Sequence, residues 1–205
     1  MYRSARYLVE DEAAIEAFVA RQRHGELIVC TADGFPQVSI LPFVKRGDEI
    51  ALHAVQEDPV FQALQSGVRR ATFLVADFLA FSPHDWVDAE DAGRATLNFI
   101  AVQYFCEAET CSEPAAVAET LSGLLRAYEP TARYAPIEDG AFYGPRLRRL
   151  GVVRLRVLRR EAKFKTGPFG PAALRRHVAA KLRERAEPGD ARAAAVIEAY
   201  AKNQA

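Results

Sequence analysis

Residues 26–54 read ELIVCTADGFPQVSILPFVKRGDEIALHA. Apolar and polar residues alternate in three segments of this stretch, which is the pattern of strands with one buried face: 26–31, 35–45 and 49–54. Ala32-Asp33-Gly34 and Gly47-Asp48 separate the segments and are typical of hairpin turns. Pro42 marks an edge or a bulge, because proline lacks the amide hydrogen that a central strand donates. The stretch therefore predicts consecutive antiparallel strands.

The rest of the chain continues this pattern and adds helices. Further strand-like segments are 71–76, 78–81, 96–107 and 151–165. Helical spacing or capping residues predict helices at 11–24, 58–67, 112–128, 171–186 and 189–202. Asp58 and Ser112 are the expected N-caps of the second and third helices. Short turns join most strands, which favours an α+β fold: an antiparallel closed barrel with helices at its openings.

Composition sets further limits. The chain has 205 residues, half of them hydrophobic, which is enough for one sizeable core. No apolar run reaches the roughly 18 residues of a membrane span, so we expect a cytoplasmic protein. Three cysteines at irregular spacing indicate reduced thiols rather than disulfides or a zinc site.

The formal net charge of zero conceals an asymmetry. Residues 1–144 carry 11 basic and 22 acidic residues, whereas residues 145–185 carry 14 basic and 2 acidic residues. One interpretation is that the two parts attract each other, within a chain or across a dimer. The other is a basic face for nucleic acid. The zero net charge favours the first.

Familiar catalytic and nucleotide motifs are missing from the sequence. It has no GxGxxG and no GKS or GKT, and its four histidines have no metal-ligand spacing. Ser82, His84 and Asp85 lie too close together in sequence for a catalytic triad, so a capped turn is the simpler interpretation. We therefore assign no catalytic residue.

Several segments, in order, resemble the PaiB-type proteins, a family described as FMN-binding negative transcriptional regulators within the FMN-binding split-barrel group. They are Met1-Tyr2 with a helix after it, Asp33-Gly34-Phe35-Pro36, 39–43, Leu52-His53-Ala54 with Asp58-Pro59, 80–83 with Trp86, 95–102 and 162–165. The resemblance covers roughly residues 1–185. It implies a six-stranded split β-barrel that binds a flavin at the interface of a homodimer.

The resemblance also implies which residues meet the cofactor FMN. Ser39, Leu41 and Pro42 would lie beside the flavin ring, with His53 near the ribityl and phosphate end. Ser82, Pro83 and Trp86 resemble a loop that closes over the cofactor. On the long strand, the expected contacts are Thr96, Asn98 and Phe99. Lys163 resembles the C-terminal lysine of the family, which points toward the site.

One departure from the family has a physical consequence. Gln56, Glu57 and Asp58 stand where the family has a run containing arginine, although phosphate sites use Arg, Lys or helix N-terminal amides. Asp58 at the helix start would also occupy the amides that a phosphate needs. The resemblance therefore implies FMN as the cofactor, and the residues at 56–58 predict a conflict at its phosphate.

These observations lead to one main hypothesis and two alternatives. We expect a split-barrel domain at 1–167 with a helical C-terminal extension of the same domain at 168–205. The main hypothesis is a PaiB-like, FMN-binding transcriptional regulator. The alternatives are a flavin-dependent oxidoreductase using the same pocket, whose redox chemistry the flavin itself would supply, and a cofactor-free scaffold that binds protein or nucleic acid through the basic segment 145–185.

Overall fold

The computed structural model describes residues 7–202 of the chain. Its strands are β1 (Gly25–Cys30), β2 (Pro36–Leu41), β3 (Phe43–Arg46), β4 (Glu49–Val55), β5 (Arg70–Ser82), β6 (Thr96–Cys111) and β7 (Leu150–Lys165). They form one seven-stranded antiparallel sheet in the order β2-β1-β5-β6-β7-β4-β3. The predicted closed barrel is wrong: within the described residues, no pairing joins the edge strands β2 and β3, so the sheet is not closed.

In residues 7–202, six α-helices accompany the sheet: α1 (Glu12–Val19), α2 (Pro59–Gln65), α3 (Pro114–Tyr128), α4 (Gly144–Leu147), α5 (Ala172–Arg185) and α6 (Asp190–Lys202). The predicted α+β class and the antiparallel pairing are confirmed. Among the described residues, no helix is both long enough and apolar enough to cross a membrane.

The strand count differs from the expected six because of Pro42. The predicted strand 35–45 divides at this residue into β2 and β3. The hydroxyl of Tyr128, at the end of α3, accepts a hydrogen bond from the Phe43 amide (2.9 Å) and donates one to the Phe43 carbonyl (2.6 Å). The break is thus held by a side chain from another element. The predicted segments 71–76 and 78–81, in contrast, form the single strand β5.

The two expected helix caps have different outcomes. Asp58 is the N-cap of α2, as predicted, and its carboxylate accepts hydrogen bonds from the amides of Val60 and Phe61. Ser112 is not the cap of α3, because Pro114 takes the first helical position that proline favours and so puts the cap position at Glu113. Glu113 makes no side-chain capping bond.

The apolar alternation seen in the sequence forms the core. Leu27 and Val29 of β1 are buried, and so are Ile50 and Leu52 of β4. Where β7 begins, a Cβ on Gly151 would lie 2.1 Å from the Phe61 ring of α2, so only glycine allows this close approach of strand and helix.

The chain divides into two compact units. The Asn98 unit contains Ala76–Ala101 and, among described residues, 7–11 and 162–202. The α3 unit contains Glu12–Val75 and Val102–Glu161. The boundary between a domain at 1–167 and an extension at 168–205 stays a prediction, and Met1-Tyr2 lies outside the described residues.

Candidate functional site

The start of α2, in the α3 unit, is where the sequence predicted a conflict with phosphate. Asp58 Oδ1 accepts hydrogen bonds from the amides of Val60 (2.8 Å) and Phe61 (3.3 Å). Ser39, only 9% exposed on β2, donates its hydroxyl to the same carboxylate at 2.8 Å. The helix amides and one predicted flavin contact are therefore already engaged with Asp58.

The residues just before Asp58 also bind their own chain. Gln56 Nε2 donates hydrogen bonds to the carbonyl oxygens of Arg148 (3.1 Å) and Leu150 (2.9 Å). Glu57 lies 3.9 Å from the Arg149 guanidinium. Because the α2 amides serve a carboxylate and no side chain of this segment supplies a free cation, the donor set at the start of α2 does not fit a phosphate.

His53 offers a different kind of contact on the next strand. It lies half-buried on β4, opposite Val152 of β7. Its Nδ1 is buried and has no hydrogen-bond partner among the described residues. Burial lowers the pKa of His53 below its ordinary value, because desolvation disfavours the imidazolium. A neutral imidazole with an unused ring nitrogen fits a hydroxyl-bearing ligand such as a ribityl chain.

Leu41 and Pro42 lie beside the strand break in the same unit. Leu41 ends β2 opposite Gly25 of β1, and Pro42 follows at the break itself. Both residues are partly buried. The structure thus places four predicted contacts in the α3 unit: Ser39, Leu41, Pro42 and His53.

In the Asn98 unit, the Asn98 side chain is completely buried, and both its amide nitrogen and its amide oxygen form hydrogen bonds. Its Nδ2 donates to the Ala80 carbonyl (3.0 Å) and to the Ser82 hydroxyl (2.8 Å). Its Oδ1 accepts from the Gly167 amide at 2.7 Å. A single amide therefore ties β5, β6 and the turn before α5 together.

The loop after β5 begins directly at this network. Ser82 ends β5 and is 2% exposed, so it faces Asn98 and does not cap the turn that follows. Pro83 precedes a single 3-10 turn, His84–Trp86, which has no side-chain cap. The Arg185 guanidinium of α5 lies 5.0 Å from the centre of the Trp86 ring, a cation–π distance.

The remaining predicted contacts lie at the start of β6 and the end of β7. Thr96 begins β6 and is partly buried. Lys163 Nζ lies 5.6 Å from the centre of the Phe99 ring. The structure thus brings together two pairs in this unit, Asn98 with Ser82 and Phe99 with Lys163. The assignment of all these residues to a cofactor stays a prediction.

Sequence reasoning did not find several of these partners. The contacts of Ser39 with Asp58 and of Trp86 with Arg185 join residues far apart in the chain, and no local pattern signals them. The cap of α2, in contrast, is predicted by the sequence, because Asp-Pro before an apolar segment is a helix-start pattern.

Part of the basic segment is paired with acidic residues inside each unit. Arginines of the segment and its flank form ion pairs with acidic residues of the same chain: Arg148–Asp139, Arg156–Glu107, Arg160–Glu12, Arg183–Glu198, Arg185–Asp190 and Arg192–Asp77. Three of them, Arg148–Asp139, Arg156–Glu107 and Arg160–Glu12, join the basic segment to residues 1–144, in agreement with the interpretation that these two parts attract each other within the chain.

Solved structures share this fold. The flavocytochrome Anf3 from Azotobacter vinelandii matches with a TM-score of 0.65 and 21% identity, over 82% of this chain and 73% of that one. The FAD and heme binding protein from Mycobacterium smegmatis matches with a TM-score of 0.64 and 15% identity, over 82% and 78%. The conserved hypothetical protein Rv2991 from Mycobacterium tuberculosis matches with a TM-score of 0.58 and 21% identity, over 80% and 91%. At these identities the likeness concerns the fold, and the predicted split-barrel class is confirmed.

Sequence comparison identifies the family. No curated protein matches the sequence at a significant level. A family model described as "Putative FMN-binding domain" matches residues 1–157, which is most of the chain. The match includes β1 to β6 and most of the predicted contacts, with Lys163 lying beyond it. The chain therefore belongs to the "Putative FMN-binding domain" family.

Proposed function

We propose that this protein binds FMN as a split-barrel homodimer and acts as a PaiB-like regulator. The observation that carries the proposal is the family match over residues 1–157. The unused and buried Nδ1 of His53 supports it, because a ribityl hydroxyl would satisfy that nitrogen.

The proposed dimer rests on an apolar face of the sheet in the α3 unit. Val38 and Ile40 of the edge strand β2 are 55% and 67% exposed, and Ile28 of β1 lies opposite Val38 on the same face. Exposed apolar side chains on an edge strand are a typical contact surface. A second copy of this chain would cover the face with an identical one.

Sedimentation and light scattering test the dimer. Ile40→Lys should produce a monomer at micromolar concentration, whereas Phe142→Lys, which removes an equally exposed side chain from the segment before α4, should leave the dimer intact. Because the proposed contact is apolar and salt screens only charges, the dimer should persist at high salt. A monomeric wild-type protein would contradict this part of the proposal.

Cofactor binding is tested by absorbance and by comparing two flavins. The purified protein should absorb at about 450 nm, as oxidised flavin does, and release FMN on denaturation. A colourless protein that also fails to quench the fluorescence of added FMN would overturn the flavin proposal and favour a cofactor-free scaffold.

The conflict at α2 is tested with Asp58→Asn, which keeps an N-cap but removes the charge. A carboxylate near a phosphate opposes binding by about 1–3 kcal/mol, which is roughly ten- to hundredfold in affinity. The variant should therefore bind FMN more tightly and riboflavin, which lacks the phosphate, unchanged. An equal gain for both flavins would show that the phosphate does not approach α2.

The regulatory role requires DNA binding, for which α5 supplies cations. Arg175, Arg176 and Lys181 lie on this helix. In a gel-shift titration, the triple alanine variant should weaken binding to operator-like DNA and reduce its salt dependence. Unchanged DNA binding, or none by the wild type, would remove the regulatory part and leave flavin binding standing.

A further inference from the structure

A cavity of about 210 Å³ lies within the α3 unit, where α3 faces β3, β4 and β7. Its wall on the helix side comes from Glu119, Thr120, Gly123, Leu124 and Arg126 of α3. These residues recur at helical spacing, so they share one face of the helix. The strand side is formed by Val44, Arg46, Glu49, Ile50, Ala51 and Arg154. None of these residues is among the predicted flavin contacts.

Three arginines from three different elements line this cavity. Arg46 ends β3, Arg126 lies in the last turn of α3, and Arg154 lies on β7 opposite Ala51 of β4. Within the described part of the chain, none of the three forms an ion pair. By contrast, Arg156, two positions further along β7, is bonded to Glu107.

Several guanidinium groups that line one concave surface and form no ion pair are suited to bind an oxyanion. Each guanidinium offers a planar fork of donors that matches a carboxylate or a phosphate. Glu49 and Glu119 also line the cavity, so the five charged groups leave one net positive charge. The site would therefore favour a compact anion.

Gly123 supplies an independent observation. It lies in the interior of α3, where glycine costs about 1 kcal/mol relative to alanine. A Cβ at this position would meet nothing within 4 Å, so no packing contact requires the glycine. The missing side chain at Gly123 leaves space in the helix side of the cavity wall. Ile50 and Leu124, both buried, provide an apolar surface beside that space.

We propose that this cavity is a binding site for a small metabolite carrying a phosphate or more than one carboxylate. The arginines would bind the anionic group, and the wall at Gly123 would admit the rest of the molecule. The volume is below the roughly 300–1,000 Å³ of pockets for drug-sized ligands, which restricts the ligand to a compact molecule. The site is separate from the proposed flavin contacts and does not depend on them.

Calorimetric titration with pyrophosphate and with citrate, at constant ionic strength set by chloride, tests the site and separates the two anion classes. We expect at least one probe to bind with a dissociation constant below about 1 mM. Loss of one charge-assisted contact in Arg154→Gln should weaken binding about ten- to hundredfold. Arg156→Gln is the matched control, because it removes the same charge from the same strand outside the cavity, and its affinity should stay within about twofold of wild type.

Two further variants test the geometry. Gly123→Leu should fill the cavity and abolish binding, whereas Glu119→Gln should strengthen it by removing a like charge. Flavin binding, measured on the same variants, should not change. The proposal is overturned if neither probe binds the wild type, or if Arg156→Gln weakens binding as much as Arg154→Gln does. Either result would leave the flavin proposal untouched.

Discussion

Replacing Asn98 by alanine should be among the most destabilising polar substitutions in the Asn98 unit. The side chain is 0% exposed and makes three hydrogen bonds, to Ala80, Ser82 and Gly167. Each such bond contributes about 0.5–1.5 kcal/mol, so their loss should cost about 3 kcal/mol of unfolding free energy. The Gly167 amide, left without its acceptor, adds to the cost.

A double-mutant cycle with Ser82 isolates one part of this network. Ser82→Ala removes only the bond to Asn98 Nδ2 and should cost about 1 kcal/mol. In the double variant that bond is already gone, so its cost should fall short of the sum of the single variants by about 1 kcal/mol. Urea unfolding followed by the fluorescence of Trp86, the single tryptophan of the chain, measures all three variants from within the same unit.

Thr96→Ala is the matched control, since Thr96 lies on the same strand and is partly buried. It should cost less than about 1 kcal/mol. The stabilising role of Asn98 is contradicted if Asn98→Ala costs no more than this control, or if the effects of Asn98→Ala and Ser82→Ala simply add.

Other expectations concern caps, turns and pH. Loss of the α2 cap in Asp58→Ala should lower the free energy of unfolding in urea by about 1–2 kcal/mol, whereas Asp58→Asn should lower it by less than about 0.5 kcal/mol. Equal losses in the two variants would count against the cap. Gly189→Ala should lower the melting temperature far more than Gly67→Ala, because both have positive φ but only the Cβ at 189 would lie 2.1 Å from a backbone oxygen of β5. Hydrogen bonds from Arg185 hold the pKa of Asp190 below its ordinary 3.8. The ionised Asp190 therefore stabilises the fold fully above its ordinary pKa. This stabilisation is lost as the pH falls through the lower pKa of the folded state. Urea midpoints at pH of about 7, 5 and 3 should fall less steeply for Asp190→Asn than for wild type, and parallel curves would contradict this.

The sequence alone determined the local elements of this protein. Period-two alternation predicts the strands at 26–31 and 49–54, each with one buried face, because successive strand residues point to opposite faces. The structure buries Leu27 and Ile50 on these faces. The cap at Asp58 and the two C-terminal helices could also be predicted, because capping residues and helical spacing are patterns of a few neighbouring positions. The conflict between Asp58 and a phosphate followed directly from that cap.

The site was predictable only in part. Family resemblance selected residues such as Ser82 and Asn98, but it could not indicate that they bond to each other and to Gly167. Nor could it indicate that Ser39 donates to Asp58. These contacts join different elements, and a strand pattern tells which face is buried without telling what covers it.

Which charges are neutralised depends on how the elements pack in the fold. In the sequence, Arg154 and Arg156 belong to one alternating row and look equivalent. In the fold, Arg156 meets Glu107, whereas Arg154 faces the cavity with Arg46 and Arg126. The physical reason is that an ion pair needs its partner within a few ångströms, and that distance is set by how the strands and α3 pack, not by spacing along the chain.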